Sequence, residues 1–167
     1  MRALLRKLIL LITTALLVAC SFHLRGQAGM PFNTLYLDAA NPATPFIKEL
    51  SRDLESNKVR IVDYAEQADM VLNIVFETFD KQILSLTSSG RVNEFQLFYR
   101  VSARAYDLNK RDWIPAEEFV MHRNYRYENN TVAAMEAEET LLYQSMRSDM
   151  AQQIVRRLSR AQLQPSK

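Results

Sequence analysis

Apolar residues recur along this chain at two spacings, one typical of strands and one typical of helices. Residues 33–38 carry Leu35 and Leu37 on one parity, which predicts a short strand. Thr44 and Pro45 then form a helix start, because threonine caps free N–H groups and proline needs none in the first turn. The helix should end near Asn57, and its apolar stripe consists of Phe46, Ile47, Leu50 and Leu54.

The centre of the chain alternates with a period of two and predicts further strands. The predicted segments are a short strand at 59–64, a long strand from Met70, a strand at 92–106 and a strand at 117–127, with polar hairpin loops at 86–91 and 107–115. In the strand from Met70 the apolar parity changes after Thr78, from Phe76 to Phe79. Such a change predicts a β-bulge at that point.

A long amphipathic helix is predicted to close the chain. No glycine or proline interrupts residues 131–164, and about thirty residues would span ~45 Å. One stripe of this helix is apolar and comprises Val132, Met135, Leu142, Met146, Met150, Ile154 and Leu158. The element order β-α-β-β-β-β-α predicts an α+β fold. We expect an antiparallel-rich or mixed sheet of about four to five strands with two helices packed on one face.

The N-terminus has the pattern of a secretion signal. Arg2, Arg6 and Lys7 precede an apolar run from Leu8 to Val18. A run of roughly ten apolar residues suits a signal peptide and is too short to span a membrane, which needs ~20. The alternative, an N-terminal helix of the folded core, lacks the polar alternation of an amphipathic helix.

Cys20 is predicted to be the lipidated first residue of the mature chain. It is the single cysteine of the protein, and it follows Leu17, Val18 and Ala19, an order that resembles the lipobox of bacterial lipoproteins. A lone thiol in a secreted protein cannot form an internal disulfide, and acylation explains why it is there. The predicted organisation is a signal peptide at 1–19, a lipidated leader at 20–33, a single α+β domain at 34–161 and a tail at 162–167.

Charge and composition exclude several classes of function. Removal of residues 1–19 takes away three of the 21 basic residues and none of the 19 acidic ones, so the mature chain has a net charge of −1. Whole-protein electrostatics therefore give no case for a nucleic-acid partner. With only three glycines, no glycine-rich phosphate loop is present.

No set of residues assembles into a catalytic or metal site in the sequence. His23 lies in the leader and His122 on the polar parity of a strand, so a metal site would need distant ligands. The acidic residues Glu136, Glu138 and Glu139 fit favourable charge near a helix N-terminus better than catalysis. An envelope hydrolase would need a nucleophile and base that are not evident, so we predict no enzymatic activity and no cofactor.

Arginines on the central hairpin are the candidate binding residues. Arg91 lies at the hairpin loop, and Arg100 and Arg104 share the outward parity of the strand that follows. Arginine pairs bidentately with phosphate and carboxylate, so this face could hold anionic head groups or a protein partner. The alternative is an ordinary solvated face neutralised by Glu94 and Glu118. Trp113, alone in the 107–115 loop, is predicted to be an exposed interface residue.

One segment resembles a known family. The order Cys20-Ser21-Phe22-His23-Leu24-Arg25-Gly26 is similar to the segment after the lipobox in the LptE (RlpB) family of LPS-assembly lipoproteins, with Ser21 where the family usually has glycine. The order of elements and the closing Ile154-Val155-Arg156-Arg157-Leu158 are also similar to that family.

The resemblance implies a role without catalysis. Members of the family sit as a plug inside the outer-membrane β-barrel LptD, help it to assemble, and bind lipopolysaccharide on its way to the outer leaflet. For this chain the resemblance implies an outer-membrane lipoprotein with Phe22, His23, Leu24, Arg25 and Trp113 at the partner interface. Arg91, Arg100 and Arg104 are then the lipopolysaccharide-binding candidates. Where the family has a second basic lipid contact, at the start of the long helix, this chain has Met135 and Glu136.

A different class of function remains open from the residues alone. A general envelope scaffold, bound to peptidoglycan or to another lipoprotein, would have the same lipid anchor and the same lack of catalytic residues. Co-purification with a large outer-membrane barrel would distinguish the two.

Overall fold

Five strands and two helices follow one another in the order predicted from the sequence. The computed structural model describes residues 29–127 and 132–162. The elements are β1 (Thr34–Ala39), α1 (Pro45–Ser56), β2 (Arg60–Val62), β3 (Met70–Leu86), β4 (Val92–Tyr106), β5 (Asp112–Arg126) and α2 (Val132–Ser159), with a short 3-10 turn at Ala65–Gln67. Cys20, Phe22, His23, Leu24 and Arg25, the signal peptide, and the leader before Gly29 lie outside the described residues, as does the tail after residue 162.

The sheet is mixed, in the strand order β2-β1-β3-β4-β5. β1 pairs in parallel with both β2 and β3, and the other pairings are antiparallel. A parallel neighbour needs a crossover, and α1 provides it between β1 and β2. This confirms the predicted α+β class with an antiparallel-rich, mixed sheet.

α1 begins and packs as its sequence predicts. The hydroxyl of Thr44 accepts a hydrogen bond from the backbone N–H of Ile47 at 3.2 Å, and proline occupies the first turn. The apolar stripe of Phe46, Ile47, Leu50 and Leu54 is buried. Burial of one such side chain stabilises the fold by about 2 kcal/mol, so this stripe holds α1 on the sheet.

α2 is buried over its second half. Met146, Met150, Ile154 and Leu158 recur every fourth residue and are fully buried against the sheet and α1. In the first half, most side chains from Ala133 to Ser145 are exposed or only partly buried. Among the described residues, neither helix combines the length and apolarity needed to cross a bilayer.

The bulge in β3 lies earlier than predicted. Its register against β4 first shifts between Ile74 and Phe76, before Thr78, and it shifts again between Ile83 and Leu86 at the end of the strand. Ile74 therefore faces the helices, whereas Phe76 pairs with Ser102 and lies on the opposite face, 41% exposed. Phe79 returns to the helix side. The parity change was correctly predicted, but the apolar character of Phe76 concealed its position.

β5 also begins earlier than predicted. The strand starts at Asp112, and its register against β4 is irregular between Ile114 and Glu117, where Pro115 lies. Proline donates no hydrogen bond to a sheet, so it is tolerated at a bulge of an edge strand. The bulge allows both Ile114 and Phe119 to be buried on the helix side. The loop between β4 and β5 is therefore 107–111, shorter than the predicted 107–115.

The strands β3, β4 and β5 are much longer than β1 and β2. β1 pairs with β3 only as far as Ala39, which lies opposite Ile74, whereas β3 continues to Leu86. The full length of β3 is about 50 Å at ~3.3 Å per residue. The domain therefore has two ends, which we call the entry end and the far end. The entry end holds the start of β1 and the 107–111 loop, and the far end holds the β3–β4 turn.

Asp69 fixes the entry of the chain into the sheet. Its carboxylate accepts hydrogen bonds from the backbone N–H groups of Asn33 and Thr34, both at 2.9 Å. These two backbone hydrogen bonds are the main reason why the pKa of Asp69 is lowered, although partial desolvation acts against them. The hydrogen bond with the Thr34 hydroxyl makes a smaller contribution in the same direction. The first residues after the predicted leader are therefore held firmly beside the start of β3.

Candidate functional site

Two surfaces carry the predicted binding residues. The far turn, residues 87–91, connects β3 to β4. The open face is the side of β3, β4 and β5 opposite the helices, and it includes Asp80, Phe98, Arg100, Arg104, Glu118 and Val120. Within the described residues, neither helix packs on this face.

Arg91 is the exposed cation of the far turn. Gly90 adopts a positive φ of 78°, and its N–H donates to the carbonyl of Thr87 at 2.9 Å, so glycine makes this turn without strain. The Thr87 hydroxyl accepts from the N–H of Arg91 at 3.1 Å. Within the described part of the chain, no carboxylate lies within 4.0 Å of the Arg91 guanidinium.

Arg100 is surrounded by groups of its own chain. Its guanidinium lies 3.7 Å from a carboxylate oxygen of Asp80 and 3.8 Å from one of Glu118, and it stacks over Phe98 at 4.8 Å. Neutralisation by Glu118 was the alternative expected from the sequence. Glu94 has other partners, since it accepts from the Ser85 hydroxyl and lies opposite Arg126.

Arg104 is held more tightly. Its Nε donates to Asp112 at 2.7 Å, and its guanidinium lies 5.1 Å from the centre of the Tyr106 ring. The hydrogen bond to Asp112 raises the pKa of Arg104. Arg104 thus bridges the open face to the beginning of β5.

The structure does not bring the three predicted lipid-binding arginines together. On one strand at ~3.3 Å per residue, Arg91 and Arg100 are about 30 Å apart, and Arg100 and Arg104 about 13 Å. Arg123 and Arg126 lie on opposite faces, as their parity predicts: Arg123 pairs with Asp149 of α2 at 2.9 Å, and Arg126 lies opposite Glu94. Of the three predicted lipid-binding arginines, Arg91 alone is exposed and without an ion pair to the described residues.

Trp113 does not occupy the exposed loop position predicted for it. It is the second residue of β5, is half-buried, and packs against the core. Its indole N–H is buried, and no described residue accepts a hydrogen bond from it. The role of Trp113 at a partner interface remains a prediction, but its placement at a hairpin tip is wrong.

Glu139 connects α2 to the far part of the sheet. Its carboxylate accepts from Lys81 of β3 and from the Tyr125 hydroxyl of β5, both at 2.7 Å. Desolvation alone would raise the pKa of Glu139, but these two hydrogen bonds outweigh it and lower the pKa. The sequence indicated only favourable charge near a helix N-terminus, because it does not show which strand residues lie beneath the helix.

A groove of about 380 Å³ lies between α2 and β3, and we call it the helix groove. It is lined by Phe79, Thr140, Tyr143, Gln144 and Arg147. Phe79 stacks on Tyr99 with ring centres 4.3 Å apart, and Tyr143 meets it edge-on at 4.9 Å. The Arg147 guanidinium lies 5.8 Å from the Phe79 ring, and its Nε is buried with no hydrogen-bond partner among the described residues.

The part of β3 beyond β1, residues 75–86, forms a further surface that the sequence did not reveal. We call it the free edge. Six of the ten large apolar side chains that are exposed in the described residues belong to it: Val75, Phe76, Phe79, Ile83, Leu84 and Leu86. Alternation alone predicted a strand buried on one side, and the only signal of exposure was that the predicted β1 is much shorter than β3.

None of these surfaces has the composition of a metal site in the described residues. In residues 29–127 and 132–162, no three His, Cys, Asp or Glu side chains are grouped so that they could hold an ion.

The sequence matches the family model described as LptE, lipopolysaccharide-assembly, over residues 32–158. An LPS-assembly lipoprotein LptE of Pectobacterium atrosepticum is 29% identical over 163 residues, which cover 95% of this chain and 86% of that protein. One of Yersinia pestis is 34% identical over 158 residues, which cover 92% of this chain and 75% of that protein.

Solved structures agree in fold. A lipoprotein B of Nitrosomonas europaea superposes with a TM-score of 0.72 at 35% identity, covering 83% of this chain and 90% of that one. The rare lipoprotein B of Shewanella oneidensis superposes with a TM-score of 0.65 at 28% identity, covering 74% and 92%.

Proposed function

This chain belongs to the LptE family of lipopolysaccharide-assembly lipoproteins, and we propose that it acts as the plug of an LptD-type β-barrel in the outer membrane. Its role is in lipopolysaccharide assembly in the cell envelope, as for its relatives. In this proposal the protein binds and positions, and it catalyses no reaction. It helps the barrel to assemble and assists lipopolysaccharide on its way to the outer leaflet.

The observation that carries the plug role is the open face. It is a long sheet surface that no helix covers among the described residues, and Asp80, Glu118 and Asp112 neutralise its Arg100 and Arg104. A face whose charges are paired in this way is suited to a water-lined barrel lumen, whose inward residues are polar. The same face would be costly against lipid, because charged groups in hydrocarbon lose their hydration.

The dimensions of the domain support the same arrangement. The chain enters the fold beside Asp69 at the entry end, and the far turn lies about 50 Å away along β3. A hydrocarbon layer is ~30 Å thick. A domain tethered at the inner leaflet by Cys20 and directed along a barrel axis would therefore carry Arg91 to the level of the outer leaflet.

Lipopolysaccharide contact is assigned to Arg91 within this proposal. An exposed guanidinium with no internal ion pair among the described residues is available to a phosphate, with which it forms charge-assisted hydrogen bonds. Leu86 is exposed nearby and offers apolar surface beside the charge. Arg100 and Arg104 would first have to leave their carboxylates, so they are secondary candidates.

Co-purification tests the plug role. The full-length, lipidated protein would be isolated from outer membranes in mild detergent, and we expect a large barrel protein in a one-to-one ratio. Phe22→Ala and Leu24→Ala, in the leader, should lower the yield of barrel, whereas Leu108→Ala, in the exposed loop at the entry end, should not. Recovery of the lipidated protein without a barrel would contradict the proposal and favour a general envelope scaffold.

A further inference from the structure

β3 has backbone hydrogen-bonding groups that no strand satisfies on one side. Its pairing with β1 ends at Ile74, and among the described residues no strand lies beside the free edge from Val75 to Leu86. In an antiparallel pair, alternate residues direct their N–H and C=O groups away from the partner strand. About half of the twelve residues from 75 to 86, spread over ~40 Å of β3, therefore present such groups.

Soluble proteins usually protect such an edge, and this one is poorly protected. Long edges are normally shortened, charged or covered, because they pair with other chains. Here the exposed residues are mostly apolar. In the described part of the chain, α2 lies over the helix side of this edge, and nothing lies over its open face. The hydroxyl of Tyr143 reaches the carbonyl of Asp80 at 3.4 Å.

The apolar side chains lie on both faces of the free edge. Phe76 is on the open face, and Phe79 is on the helix side with Ile83, which pairs with Phe95. An occupant that contacts both sets must present side chains to two sides while its backbone lies along β3. An extended peptide does this, because successive side chains of a strand point to opposite faces.

The helix groove indicates what one residue of the occupant should be. It lies along the helix side of the free edge, and Arg147 lines it beside Phe79 and Tyr143. No carboxylate of the described residues is within 4.0 Å of the Arg147 guanidinium. A carboxylate in the occupant would form a charge-assisted pair with it.

We propose that the free edge of β3 binds an extended segment of the barrel partner by strand addition, with an acidic residue of that segment paired to Arg147 in the helix groove. The inference rests on the proposed function, because the barrel supplies the segment. It goes further in assigning the contact to backbone pairing along residues 75–86. Strand addition to an exposed edge is an established mode of peptide recognition.

A lipid acyl chain is the less suitable occupant. It could cover the apolar side chains and place a phosphate at Arg147, but it has no groups that bond to backbone N–H and C=O. A second copy of this chain could pair edge to edge, but the carboxylates it carries on this edge, Glu77 and Asp80, already accept hydrogen bonds from Tyr99 and Gln82. Both are outcomes that the experiment separates.

Hydrogen–deuterium exchange of the lipidated full-length protein, alone and in complex with the barrel, tests the inference. In the free protein, alternate amides of residues 76–86 should exchange rapidly, because only the other half is bonded to β4. In the complex these rapid amides should become protected. Amides of β5, the other long edge strand, serve as an internal control and should change little.

Matched variants test the same edge by affinity. Val75→Lys and Ile83→Lys place a charge on side chains that are 55% and 57% exposed, so folding should be little affected. Tyr64→Lys and Leu108→Lys introduce the same charge at 64% and 54% exposure, away from both the free edge and the open face. The edge variants should weaken barrel binding by about tenfold or more, because the interface would bury an unpaired charge, and the controls should not. Arg147→Gln should also weaken binding, and Arg147→Lys should restore part of it.

Each alternative result has a defined meaning. If the barrel binds but the rapid amides of the free edge stay unprotected, the strand-addition inference is overturned and the plug role stands. If no barrel binds the wild-type protein, both fail. Protection produced by lipopolysaccharide alone, or by a concentration-dependent dimer, would assign the edge to a lipid or to a second copy and would also overturn the inference.

Discussion

The arginines of this protein differ in what surrounds them, and therefore in how readily their guanidinium groups are available to a ligand. Arg100 and Arg104 stand over aromatic rings and contact carboxylates of their own sheet. Arg91 lies in an exposed turn with no such contact in the described residues. Separating an arginine from its partner costs free energy before any ligand is bound, whereas an exposed arginine incurs no such cost.

Arg91→Glu should weaken the binding of lipopolysaccharide to the purified protein. Loss of a charge-assisted hydrogen bond and introduction of repulsion should lower affinity by about tenfold or more. Binding would be measured by titration with lipopolysaccharide at fixed ionic strength. Arg60→Glu makes the same charge change on the exposed edge strand at the entry end and is the control. Unchanged affinity in Arg91→Glu would remove this residue from the lipid site.

Glu139→Gln should make the free energy of unfolding depend less on pH in the acidic range. The folded pKa of Glu139 lies below its ordinary value of 4.5, so its stabilising contribution is present above pH 4.5 and is lost as pH falls through the folded pKa. At pH 7 we expect the variant to be less stable by about 1 kcal/mol, and the gap should close at lower pH.

Urea unfolding between pH 7 and pH 3 measures this gap. Glu138→Gln changes the adjacent, exposed carboxylate of the same helix and should keep the wild-type pH dependence. A gap that stays constant with pH would show that Glu139 stabilises the fold by packing and not through its charge.

At the scale of elements, the termination of β1 has the largest consequence. The chain turns at Asn41 and starts α1 at Pro45, so β1 ends while its neighbour β3 continues. The Thr44 cap fixes where the helix begins, and this decides how much of β3 lacks a strand on the side of β1 among the described residues.

Thr44→Ala should destabilise the domain by about 1 kcal/mol, because the N–H of Ile47 loses its acceptor. Denaturant unfolding measures the change, and Thr78→Ala on the exposed part of β3 is a control that removes a threonine outside any cap. Thr44→Ser should retain most of the stability, since serine caps equally well. Equal stability of Thr44→Ala and the wild type would contradict the role of the cap.

On the scale of the whole molecule, the proposed function gives the two ends of the domain different roles. The entry end is held to the start of β3 through Asp69 and lies closest in the chain to Cys20. The far end holds Arg91, and the free edge connects the two. The free edge and the far turn both depend on the great length of β3 and β4.

Cys20→Ala should abolish incorporation of fatty acid and release the protein from its membrane. Without acyl chains the tether is lost, because each buried methylene contributes ~0.8 kcal/mol to anchoring. Labelled palmitate and membrane fractionation measure the two effects. Ser21→Ala, one position later, should leave both unchanged, and persistent labelling of Cys20→Ala would disprove lipidation at this residue.

Most of the fold could be predicted from the sequence because its signals are local. The Thr44–Pro45 start, the stripe from Met146 to Leu158 and the alternation of β4 each depend on neighbours within a few residues. Two errors occurred where local patterns conflict with pairing: the bulge at Phe76 and the start of β5 before Trp113. In both cases the side chain is apolar, and its pairing with the neighbouring strand, which the local pattern does not reveal, decides where it lies in the sheet.

The sequence by itself determined the lipidation motif at Cys20, the family resemblance in the leader, the element order and the outward parity of Arg100 and Arg104. Tertiary structure alone decided which charges are neutralised, since Asp80, Asp112 and Glu118 reach the arginines only through strand pairing. It also decided that Glu139 meets Lys81 and that, among the described residues, β3 from Val75 to Leu86 has a strand on one side and none on the other. The physical reason is that local periodicity is encoded in neighbouring residues, whereas register and strand order depend on residues far apart in the chain.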